Sequence, residues 1–191
     1  ALVSVIATLA SSLKGTIVDT VGEEVIADFQ VQPSGFGDPT STGVPASLPG
    51  EIAELPGIET VSIYRIGAWR NPDTLSQDFL IGVDENLEQV VRLEMEAGSF
   101  ADLRDGTVGI WKPYAEDNAL GIGDTVRVEF NDGTIIEPTV AFIYGAELFS
   151  TNLILPMETY EEHFDNRLAA MAMMTVIEGA DPEAVRPSIQ A

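Results

Sequence analysis

Cysteine is absent from the 191 residues. Disulfides, thiolate metal sites, cysteine nucleophiles and a lipoprotein anchor are therefore excluded. The compartment stays open, because such a chain suits both a cytoplasm and the outer face of a bacterium that makes no disulfides. Histidine is nearly absent as well. His163 stands alone, which removes His-pair acid–base chemistry and most zinc sites, where two or more histidines are usual once cysteine is missing. Basic residues are scarce too: 9 Lys+Arg stand against 31 Asp+Glu, for a net charge of −22. Phosphate backbones and anionic headgroups both demand clustered Lys and Arg, so nucleic acid and flat docking on anionic lipid are disfavoured as partners. Acidic excess mostly serves solubility, and its one sharper implication is a cationic ligand or partner.

What is present describes a globular chain. Hydrophobic residues make up 45% and charged residues 21%, enough apolar surface for a core and too little charge for a disordered acidic tail. The length allows one domain or two small ones. Residues 1–13 (ALVSVIATLASSL) carry no charge. They are too few to span a bilayer, which needs about 20, and no basic segment precedes them as in an intact signal peptide. Leu2, Ile6, Leu9, Leu13, Ile17 and Val21 recur at helical spacing. They define either an amphipathic first helix on a core or a helix that continues into a membrane.

Further along, 28–32 alternates as a strand, and 33–50, rich in Pro, Gly, Ser and Thr, reads as a long loop. A short helix over 51–55 precedes a long strand over 59–69. Strands are expected at 79–83, 107–111, 125–130, 135–144, 152–155 and 171–177. Helices are expected after Asp84 as N-cap, from Pro113 to Gly121, over 156–164, and after Asp181-Pro182-Glu183. Asn131-Asp132-Gly133 signals a hairpin. The outer segments follow a β-α-β-β-α-β order, a split-βαβ sheet. The middle is strand-rich. The fold class expected is therefore α+β: a split-βαβ lobe over 25–71 and 151–191, with a mostly-β lobe over 72–150 inserted at a connection that leaves the host sheet's pairing intact.

Motifs for chemistry are missing. No phosphate-binding P-loop, nucleophile elbow or EF-hand loop occurs. Gly121-Ile122-Gly123 lacks the third glycine of a dinucleotide site and reads as a turn. No catalytic residue, metal ligand or cofactor is expected, although 31 carboxylates leave a carboxylate-dependent hydrolase as an alternative. Trp69 and Trp111 at strand ends are candidate contacts, with core packing as the plainer reading. Phe36 on the Gly-rich loop is a third. Met171, Met173 and Met174 read as a sheet face or a soft groove.

Six short motifs carry a resemblance. Leu55-Pro56-Gly57-Ile58-Glu59-Thr60-Val61, Gly82-Val83-Asp84, Gly98-Ser99-Phe100, Leu120-Gly121-Ile122-Gly123-Asp124-Thr125-Val126 and Leu153-Ile154-Leu155-Pro156 follow the apolar stretch over 1–21. In that order they resemble the extracytoplasmic domain of MacB/FtsX-type ABC transporter permeases. Ala141-Phe142-Ile143 departs from the pattern, where many members have a glycine. The resemblance implies a porter-like lobe and an inserted sabre-like lobe, without catalysis. It implies an extracytoplasmic location on a cell membrane, with 1–24 as a membrane-exit helix and both membrane connections missing. The implied partners are a cytoplasmic ATPase, a second permease copy, and a cargo or adaptor (lipoprotein, lipid, peptide or drug). Such a domain transmits motion, and Leu13, Thr16 and Ile17 are the residues expected to couple it mechanically. A stand-alone extracellular binding module is the other alternative.

Overall fold

The computed structural model describes residues 24–33, 43–147, 149 and 151–190. The expected exit helix with Leu13, Thr16 and Ile17, and Phe36 of the loop, lie outside them. Strand β1 (Phe29–Val31) is followed by helix α1 (Leu48–Ala53), which has Pro49 in its first turn and buries Leu48 and Ile52 one turn apart. Strand β2 (Ile58–Arg70) is the longest element, at 13 residues. Its β-branched and aromatic residues suit a pleated, half-buried surface. The turn at Asn71, whose side-chain Oδ1 accepts from Asp73 N and Thr74 N, leads into β3 (Gln77–Val83).

Helix α2 (Leu87–Val90) is a single turn that buries Leu87 and Val90. Asn86, not Asp84, stands at its N-cap. Strand β4 (Met95–Gly98), a 3₁₀ turn (Phe100–Asp102) and β5 (Thr107–Trp111) follow. Helix α3 (Lys112–Asn118) starts on Pro113 as expected but stops before Gly121, because Ala119 adopts the left-handed conformation (φ 52°) and donates to the Ala115 and Glu116 carbonyls. Strands β6 (Val128–Phe130) and β7 (Ile135–Ile136) form the expected hairpin, with Gly133 at φ 84°. The single strand expected over 135–144 is divided. Pro138 has no N–H to give to a ladder, so β8 (Thr139–Tyr144) begins after it. The chain closes with β9 (Leu153–Pro156), α4 (Met157–His163), β10 (Met171–Val176) and α5 (Pro182–Gln190).

The architecture is α+β, a mixed sheet ordered β1-β10-β2-β3-β9-β5-β8-β4. β1 and β2 both run antiparallel to β10, which lies between them. They are thus parallel to each other and joined through α1, a split βαβ unit. One expectation is corrected. The 72–150 segment does not leave the host pairing untouched, because its β3 lies between β2 and β9, antiparallel to one and parallel to the other. The physical reason is a burial pattern of four consecutive buried residues, Leu80, Ile81, Gly82 and Val83. A strand covered on both faces belongs inside a sheet.

A second feature escapes the linear strand order. The end of β2 pairs with β6 at Trp69 and Arg70, and the stretch before β6 bonds to β8 through Val126 N to Pro138 O (3.0 Å) and Val140 N to Asp124 O (2.8 Å). β2, β3, β9, β5, β8 and 124–130 therefore close into a ring of hydrogen-bonded strands. Leu80, Val108, Val128, Val140 and Leu153 of these strands share one buried cluster with Trp69 and Tyr160. A second cluster on the other sheet face gathers Ile81, Val83, Leu87, Phe142 and Met173, and a third lies under α1 and α5 with Phe29, Ile52 and Met174. Met173 and Met174 are both fully buried, on opposite faces, so the methionine run is core.

Candidate functional site

β3 and β9 are adjacent, parallel, and end side by side with Val83 opposite Pro156. From there the chain departs in two directions. After β3 it turns into α2, whose Leu87 and Val90 pack with Ile81 and Val83. After β9 it turns into α4, whose Tyr160 packs with Leu80 on the other face. Divergence of two connections beyond the carboxyl ends of neighbouring parallel strands opens a crevice. Here it is a groove of about 510 Å³. Val83, Phe100, Leu103 and Met157 supply apolar lining, and Asp84, Glu85 and Glu158 supply carboxylates.

Asp84 anchors one wall. Its carboxylate accepts from Ser62 Oγ (2.7 Å), Ile63 N (2.7 Å) and Asn86 N (3.0 Å). Burial pushes its pKa above the ordinary carboxylate value, although all three donors pull the other way. The sequence reading of Asp84 as a helix cap is corrected accordingly: the residue ties the β3–α2 connection to β2. The opposite wall is fixed by Thr159, buried on α4, which donates to Asp105 Oδ1 at 3.2 Å. Deeper on the same helix, Glu161 pairs with Arg65, whose side chain is 7% exposed. Tyr160 donates to the Ile66 carbonyl at 2.9 Å.

The entry of the described chain is held just as firmly. Val25 bridges to Val91, and Ile26 N and Ala27 N both donate to the Val90 carbonyl at 2.9 and 3.0 Å. Arg92 N donates to Glu24 O (2.7 Å), and Glu147 N to a Glu24 carboxylate oxygen (3.0 Å). The first described residues thus grip the α2 segment and the end of β8 as well as leading into β1.

The tryptophans take different places. Trp69 is 3% exposed and packs edge-on to Tyr114, so its side chain belongs to the core. Trp111 is partly buried against the cluster around Phe142. His163 is the last residue of α4 and stacks on Phe130, ring centroids 4.1 Å apart. Among the described residues, no group of three or more His, Asp or Glu side chains is placed to hold a metal ion. Sequence reading did not single out Glu85 or Glu158. It had a signal for the groove nonetheless: Gly82-Val83-Asp84, Gly98-Ser99-Phe100 and Leu153-Ile154-Leu155-Pro156, far apart in sequence, all run into its lining.

Among the described residues no helix is long and apolar enough to cross a membrane. The sequence matches no curated protein. It does match the model of the MacB-like periplasmic core domain over residues 1–191. The fold is similar to the periplasmic region of MacB from Actinobacillus actinomycetemcomitans, with TM-score 0.60 and 16% identity over 84% of this chain and 78% of that one. It is similar also to the extracellular domain of the noncanonic ABC-type transporter YknZ from Gram-positive bacteria, with TM-score 0.54 and 14% identity over 74% of this chain and 79% of that one. Closed strands, crevice and clamped entry accordingly belong to a member of the MacB-like periplasmic core domain family, the periplasmic domain of an ABC transporter permease.

Proposed function

We propose that this domain carries ATP-driven motion from the permease's membrane helices to its extracytoplasmic surface, where it meets a cargo or adaptor. A cytoplasmic ATPase supplies the motion, and a second permease copy supplies the surface against which it acts. The clamped entry is the observation that carries this reading. A push or rotation arriving at Glu24 reaches the α2 segment through backbone hydrogen bonds and Glu147 through the Glu24 carboxylate, and reaches the sheet centre through Ile81 and Val83, which pack with Leu87 and Val90. Close-packed elements pass displacement on instead of absorbing it. The coupling residues are Leu13, Thr16 and Ile17, on the segment that precedes the clamp.

Thr16→Pro tests the proposal in the full-length complex reconstituted into vesicles. In the exit helix expected from the sequence, proline would remove a helix hydrogen bond and kink the segment. Transport falls while ATP hydrolysis persists. Transport at the wild-type rate contradicts the reading.

A further inference from the structure

The crevice beyond β3 and β9 has a built character that the coupling function does not use. Its floor is apolar, from Val83, Phe100 and Met157, and its volume of about 510 Å³ falls within the range of sites that hold a small ligand or a few side chains. The carboxylates around it differ in state. Asp84 is saturated by Ser62, Ile63 and Asn86. Glu85 and Glu158 are exposed, and among the described residues neither is held by a hydrogen bond or an ion pair. Among the described residues no Lys or Arg lines the groove. Arg104, beside Leu103 in sequence, is turned to Asp102 at 3.9 Å. Both carboxylates line the groove, Glu85 from the connection that follows β3 and Glu158 from the one that follows β9.

We propose that this crevice is a docking site for a basic side chain, lysine or arginine, carried on a short apolar segment of a partner polypeptide. Charge complementarity selects the occupant. A cation in the groove is attracted by both Glu85 and Glu158, and the apolar flanks of the segment cover Phe100 and Met157. A neutral apolar segment leaves both carboxylates uncompensated, and an acidic one is repelled. The site rests on the reading that the domain meets a cargo or adaptor, and it names the chemistry of that contact.

The test titrates the 191-residue chain with the peptide Ac-Leu-Arg-Leu-Arg-Leu-amide, followed by amide NMR. Shifts are expected at Val83–Asn86, Phe100–Leu103 and Met157–Glu158. Glu85→Gln/Glu158→Gln weakens binding fivefold or more, and the peptide with glutamine for arginine does not bind. Glu51→Gln/Glu54→Gln, which removes the same charge from exposed positions on α1 and at its C-terminal cap, leaves binding unchanged. Equal weakening in both double variants means attraction to the net charge alone and overturns the site, as does an absence of shifts at the crevice. Either failure leaves the Thr16→Pro result standing. Conversely, transport that survives Thr16→Pro leaves a localised, Glu85- and Glu158-dependent peptide site in place.

Discussion

Gly82 lies directly beneath Tyr160: a Cβ at position 82 would come within 2.4 Å of the Tyr160 Cβ and 2.5 Å of its Cγ. Neither neighbour can give way. β3 is locked between two strands, and Tyr160 is fully buried with its hydroxyl on the Ile66 carbonyl. Gly82→Ala should lower the unfolding free energy by about 1–3 kcal/mol, the usual range for overpacking a core. Urea denaturation of the two chains measures it. A midpoint equal to wild type would show that α4 lifts off β3 easily, and the rigid crevice wall would go with it.

How much of this was legible beforehand depended on the range of each signal. Local signals worked. Pro113 opened α3, Asn131-Asp132-Gly133 made the hairpin, and the β-branched run before Trp69 became β2. The position of β3 was not legible as an inserted central strand, because a run of apolar residues shows burial on two faces but not which strands provide the cover. β4 was missed outright. Met95–Gly98 is short, mostly exposed and bears Glu96, and β8 alone pairs with it. The crevice was missed for a related reason. Its residues come from three connections brought together only by sheet order, so no window of sequence contains Glu85, Phe100 and Glu158 together.

The Asp84 carboxylate gives a prediction in pH. Its pKa is raised in the folded chain by burial. The folded state therefore holds this proton more tightly than the unfolded one, and the stabilisation is complete below the unfolded value of about 3.9. It is lost as pH rises through the higher folded value. Asp84→Asn lacks that titration and also disturbs the acceptor for Ile63 N, leaving a part-buried donor poorly satisfied at about 1 kcal/mol. The variant should be less stable throughout, with the larger deficit at acidic pH. Denaturation curves from about pH 7 down to about pH 3 test the sign. A deficit that grows toward neutral pH contradicts it.

In the proposed function, displacement of the entry segment moves the whole lobe relative to its counterpart in a second copy. The absence of cysteine helps here, because Asn131→Cys introduces one label site in this domain, at the exposed turn between β6 and β7. In the full-length permease with its ATPase, any cysteines elsewhere removed, a spin label there reports a single distance between the two copies. The distance distribution is expected to shift when ATP binds to the wild-type complex and to stay fixed in the Thr16→Pro background. An unchanged distribution in the wild-type complex, or a full shift despite the proline, would contradict it.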